Sequence, residues 1–168
     1  MSTEDKIKKC IDEGNRGGER HKGLKKVEIN ITKSQGHLNK AIKNFNAMLE
    51  FHNLGYSDWS VSAAFYSLYQ GLLAILSVKG YESRNQSCTF AFIEDMINKG
   101  ELKHIKISNL REIFDRDINN NLEHSEKILD IREEMQYSTK TDLGEQEFNH
   151  LKQKTKEIFD KIRLELEE

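Results

Sequence analysis

Between Ile128 and Ser138 the chain reads ILDIREEMQYS, with an arginine in an unusual place. Read as a helix, Ile128, Ile131 and Met135 form an apolar stripe, because side chains three, four and seven apart share a face. Arg132 lies at the edge of that stripe, one turn after Ile128. A permanent cation turned toward a core must meet a carboxylate or hold an anion. Asp58 or Glu94 would provide the first, a structural ion pair. With Tyr137 and Tyr66, Arg132 would instead line a small anion or nucleotide site, the guanidinium on phosphate and the phenols hydrogen-bonding beside it. Arg84 and Asn85, in YESRNQS, are the other polar candidates for that site; failing that, they belong to a solvated loop.

A second pattern carries different chemistry. In DRDINNNLEHSE, Asp115, Asp117, Asn119, Asn121, Glu123 and Glu126 fall at the ligand positions of an EF-hand calcium loop. Position 6 holds Asn120, where the sharp turn wants glycine, and no second loop accompanies it. The loop therefore reads as a polar connector, with calcium binding as the alternative. The six histidines form no metal constellation, and neither cofactor nor metal is expected.

These residues need elements to position them. A short helix is expected over residues 2–13, then the glycine-rich connector GNRGGERHKG, then KVEINI as an extended lead-in with no second strand to pair with it. The next helix runs from about Ser34 to Asn53, with Leu38, Ala41, Ile42, Phe45, Met48, Leu49 and His52 on one face. A central helix begins at a Ser57 or Asp58 cap and stops at Gly80. It has one stripe of large apolar residues and a second face of Ala63, Ser67, Gly71 and Ala74, so it is expected to pack on two sides. Further helices are predicted over about Cys88–Lys99, Ser108–Ile118, Ser125–Ser138 and from Glu145 to the C-terminus. The result is an all-α, antiparallel up-down four-helix bundle with additional short helices. Residues 1–33 form a lead-in and 34–168 the bundle.

The stretch GYSDWSVSAAFYSLYQGLLAILSVKGYESRNQSCTF, Gly55 to Phe90, resembles the second long helix of the HEPN family, whose name refers to nucleotide binding in higher eukaryotes and prokaryotes. Phe65, Tyr66 and Tyr69 match its aromatic pattern; HLNKAIKNFNAM is similar to the helix before it, and ILDIREEMQYS to the late helix that carries the family arginine. The resemblance runs from about Gln35 to the C-terminus. It implies a helical bundle, a homodimer and a nucleotide or RNA ligand. It also implies a partnership with a minimal nucleotidyltransferase, as in toxin–antitoxin or stress-response modules. Many such domains are metal-independent ribonucleases whose motif is arginine, four to six residues, then histidine. Here Arg132 is followed at that distance by Tyr137, a poor base at neutral pH, and Gln70 stands where a histidine sometimes follows the aromatic pair. Arg16 and His21 satisfy the motif literally, but in the glycine-rich connector ahead of the matching region. The preferred reading is a non-catalytic binding or accessory module, with an Arg132-dependent ribonuclease as the rival.

Composition bounds these readings. The chain has 168 residues, enough for one domain with a real core, a net charge of −2 with both signs interspersed, and no proline. No broad nucleic-acid surface follows from that charge. Cys10 and Cys88 lie far apart and are read as reduced thiols in a cytoplasmic protein. The start of the chain is charged and does not read as a secretory signal. Trp59 to Val78 is uncharged over twenty residues, about a bilayer's thickness, yet its serines, glutamine and tyrosines favour a buried core helix over a membrane span. On the non-catalytic reading, neither the wild type nor Arg132→Ala should cleave labelled RNA in chelator. Cleavage by the wild type alone would make Arg132 part of a ribonuclease.

Overall fold

The computed structural model describes residues 2–113, 135, 137–139 and 142–167. Within them the protein is mostly helical, in keeping with the all-α expectation. The helices are α1 (Thr3–Arg16), α2 (Ile31–Asn53), α3 (Ser57–Lys79), α4 (Gln86–Asn98), α5 (Ile107–Ile113) and α6 (Glu145–Glu167). The loop Asp115–Glu126, Arg132 and most of the helix expected around it lie outside the described residues; Met135 is buried in the core.

The central element is α3, whose composition leaves it almost no polar face. Val61, Ala64, Phe65, Leu68, Leu72, Ile75 and Leu76 are all buried. It is the one described helix long and apolar enough to cross a membrane, and 72% of its apolar stretch is buried inside the protein. Its small residues set the packing. Ser67 Oγ donates to the Ala41 carbonyl at 2.7 Å, Ser60 Oγ to that of Met48 at 2.7 Å, and Ser34 Oγ of α2 to that of Ala74 at 2.9 Å. The descending pairing makes α2 and α3 antiparallel, and the short hydroxyl side chains let their backbones approach closely. One turn after Ser67, on the same small-residue face, Gly71 leaves room for Ile162 of α6, against which a Cβ would stand at 2.9 Å. Phe45–Phe159 and His52–Phe148 contacts set α6 antiparallel to α2. Close approach of neighbouring helices therefore follows from the small-residue face, as its composition implies, and α3 packs against both α2 and α6.

Three local expectations are corrected. Ser57 does not cap α3: its Oγ accepts the Leu143 N–H at 2.8 Å, tying the entry of α6 to the start of α3. The glycine-rich connector is folded, and the strand that forms is Leu24–Lys26 (β1), which overlaps KVEINI only at Lys26 and pairs with Tyr81–Ser83 (β2), antiparallel, with Lys25 opposite Glu82. A three-residue strand is too short to show alternation, which is why β2 read as loop. Finally, Cys10 and Cys88 are not separate thiols but a disulfide joining α1 to α4.

α1 docks through glycine. A Cβ at Gly14 would stand 2.0 Å from the Leu24 carbonyl oxygen, and one at Gly23 2.3 Å from that of Cys10. In an open helix interior, Gly→Ala is favourable by about 0.5–1 kcal/mol. Gly36, in α2 with nothing nearby, should follow that rule, so Gly36→Ala is expected to raise the unfolding free energy by that amount. Gly14→Ala should reverse the sign and lose about 1–3 kcal/mol through overpacking. Chemical denaturation of the two variants checks both signs.

Candidate functional site

A polar cleft opens where the start of α2, the end of α3 and β2 converge. Gly80 creates it. At φ +82 it ends α3 in the left-handed conformation, and its absent side chain lets the Val27 carbonyl oxygen come to 3.0 Å from where a Cβ would sit. The chain reverses there and Glu82 follows at once on β2, above the first turns of α2.

Glu82 is shared by three donors. His21 Nε2 lies 2.9 Å from Oε1, Lys33 Nζ 2.5 Å from Oε2, and Arg84 Nε 3.3 Å from Oε1. The hydrogen bond from Lys33 is the largest cause holding the Glu82 carboxyl down at about 2; the His21 bond and the charges of Lys33 and Arg84 act the same way, against the cost of burial. The His21 side chain is fully buried. Its Nδ1 accepts the Gly23 N–H at 3.3 Å, which leaves the ring proton on Nε2 to donate to Glu82. Both nitrogens being engaged, His21 anchors the carboxylate and moves no proton in this arrangement.

A second histidine faces the cleft in a different state. His37 Nδ1 lies 2.7 Å from Gln70 Oε1 on α3. A carbonyl oxygen only accepts, so Nδ1 is the donor and Nε2 is left as an acceptor. Burial pushes the His37 imidazole below its ordinary value, and the charges of Lys33 and Lys40 add to this against the Gln70 hydrogen bond. His37 is therefore uncharged at neutral pH. The cavity between these residues measures about 180 Å³, with Leu73 and Tyr81 as its apolar walls. Two fixed cations against one carboxylate leave it with one net positive charge. Lys33 and Arg84 are 41% and 47% exposed, so both heads remain reachable from solvent.

The candidates read from the sequence divide as follows. Arg84 lines the cleft. Asn85 stands beside it, but its Oδ1 accepts the Cys88 N–H at 3.0 Å and caps α4. Tyr66 sits one turn before Gln70 on α3, half-exposed, on a stripe with Trp59 that leads into the cleft. Tyr137 is exposed, and no contact joins it to Tyr66 among the described residues. Arg132 lies outside those residues. Arg16 pairs with Glu13 at 2.7 Å on the exposed side of α1, so it does not form a catalytic pair with the buried His21. His21 was noticed with Arg16 and not with Glu82; Lys33, His37 and Glu82 went unseen because Glu82 joins them from 49 and 45 positions away, and Lys33 and His37, four apart on α2, form no known motif by themselves. Gln70 was the one available hint, a polar residue in an apolar helix.

Comparisons of the chain with protein-family models, with curated proteins and with solved structures give no match.

Because the Glu82 carboxyl is held at about 2, its contribution to stability is present above the unfolded carboxylate value of 4.5 and is lost as pH falls from there toward 2. Glu82→Gln is expected to lower stability at pH 7 and to flatten the acid limb of the stability curve in that window. Thermal melts at stepped pH check this.

Proposed function

We propose that this chain is a HEPN-like helical bundle acting as a non-catalytic binding module for a phosphate-bearing ligand, a nucleotide or an RNA end. In this reading it works as a homodimer and as the accessory partner of a minimal nucleotidyltransferase. The observation that carries the reading is the cleft: Lys33 and Arg84 are held side by side by one carboxylate, with uncharged His37 between α2 and α3 beside them. A phosphate oxygen can replace water on both cationic heads without displacing Glu82, since each has donors to spare. At 180 Å³ the cavity is smaller than the ~300–1,000 Å³ of a pocket that encloses a whole small molecule. It therefore grips the phosphate end and leaves the remainder of the ligand on the surface. Tyr66 and Trp59, on the stripe leading away, offer aromatic faces to bases of a longer strand.

A specific observation also favours the ribonuclease rival. His37 lines the same cavity as Lys33 and Arg84, and its Nε2, not engaged by Gln70, is the acceptor that would take a proton from a ribose hydroxyl. Cleavage of RNA by the wild type and its loss in His37→Ala would move the chain into that class.

Binding of adenosine monophosphate followed by calorimetry tests the preferred reading. Lys33→Ala and Arg84→Ala should each weaken it about tenfold or more, since each removes a charge-assisted contact. With two phosphate contacts, binding of a short single strand should fall with salt at a log–log slope of about −1.4. Trp59, the chain's one tryptophan, lies about 27 Å along α3 from the cleft end at Ser77. An oligonucleotide that follows the stripe should quench its fluorescence, and the mononucleotide should not. Equal affinity in wild type and both variants would remove the cleft from consideration.

A further inference from the structure

The cleft's anchoring histidine arrives on a lightly secured part of the fold. α1 carries eight charged side chains in 14 residues, and only Cys10 and Gly14 of it are buried, with Ile7 and Ile11 packed at the edge of the core. It rests chiefly on β1 and α4. A helix of that length with so narrow an apolar face is marginal on its own. Its docking depends on the close approach at Gly14 and Gly23, a hydrogen bond from Lys6 to Ser87, and the Cys10–Cys88 bond. The same stretch of chain continues straight into His21 and β1, so whatever holds α1 also holds the donor that His21 presents to Glu82.

We infer that the Cys10–Cys88 disulfide is a redox-sensitive latch that clamps the α1–β1 unit, and with it His21, onto the Glu82 wall of the cleft; as regulation of ligand binding it rests on the phosphate-binding reading above. Cys10 and Cys88 are the chain's two cysteines, so the bond is either closed or open, with no third thiol to reshuffle onto. A dithiol opens it by thiol–disulfide exchange. One reductant thiolate attacks a cysteine sulfur and the Sγ–Sγ bond breaks; the second thiol then displaces the mixed disulfide. Two electrons pass to the protein, two protons end on the cysteine sulfurs, and the reductant leaves as a cyclic disulfide. Both residues are about 95% buried, Cys10 at 4% and Cys88 at 5% exposure, so attack needs a transient local opening around the bond, and α1 lifts as a whole only after the bond is broken. Once α1 lifts, His21 leaves Glu82, and the carboxylate is shared by Lys33 and Arg84 alone. It then neutralises them more fully, and the cleft loses affinity for phosphate.

The test compares the full chain oxidised, in dithiothreitol, and as the Cys10→Ser/Cys88→Ser double variant, by amide exchange and by adenosine monophosphate binding. Amides of residues 3–26 should exchange about tenfold faster or more in the reduced chain and in the double variant, with those of α2 and α3 unchanged. Adenosine monophosphate should bind about threefold more weakly or worse, and the double variant should not respond to dithiothreitol. Unchanged exchange in residues 3–26, or equal acceleration throughout α2 and α3, would overturn the latch. Local acceleration with equal affinity in both redox states would overturn its link to the cleft. Absence of nucleotide binding in every form would overturn the phosphate reading, while the exchange data still decide whether the latch exists.

Discussion

The arrangement of the cleft depends on one carboxylate. Glu82 is ionised against the cost of partial burial because donors from three separate parts of the chain converge on it: His21 ahead of β1, Lys33 in the first turn of α2, and Arg84 two residues along. Each cation alone would be an exposed side chain of many rotamers. Bound to a common acceptor, the two point the same way, and the entropy of ordering them is met during folding rather than at ligand binding. Such pre-organisation is what separates a phosphate site from two surface charges that happen to be near one another.

That carboxylate can be placed only because the scaffold behind it is stiff. α2 and α3 are locked by serine hydroxyls donating across their interface to backbone carbonyls, and Gly71, one turn beyond Ser67, admits α6 beside them. The abrupt stop at Gly80 delivers β2 to the top of this frame in a fixed register against β1. The frame is thus built from long, locally specified helices, while the cleft is assembled from the short pieces attached at their ends.

The division explains what could be read from the sequence. Helical periodicity, the glycine stop at Gly80 and the small-residue face of α3 are written in neighbouring residues, and among the described residues the long helices expected around Ser34–Asn53, before Gly80 and from Glu145 are present within a few positions. The β1–β2 pair sets Lys25 opposite Glu82, 57 positions away, and His21 meets Glu82 61 positions away. No periodicity signals contacts of that kind. The Cys10–Cys88 bond was hidden for the same reason: two cysteines 78 residues apart carry no pairing information until the fold brings α1 onto α4. Arg84 was legible as a candidate because it follows the aromatic helix, but its partners were not. Asn85 drew notice as a ligand and serves as a helix cap, a role that Asn before a helix commonly fills.

The most direct measurement of the central claim is a titration of isotopically labelled protein with adenosine monophosphate, following the side-chain resonances of Lys33, Arg84 and His37. If the Glu82-organised cleft is the ligand site, these three should shift together and saturate on one binding curve, with the buried His21 ring moving little. Shifts that saturate elsewhere while these three stay still would contradict the account.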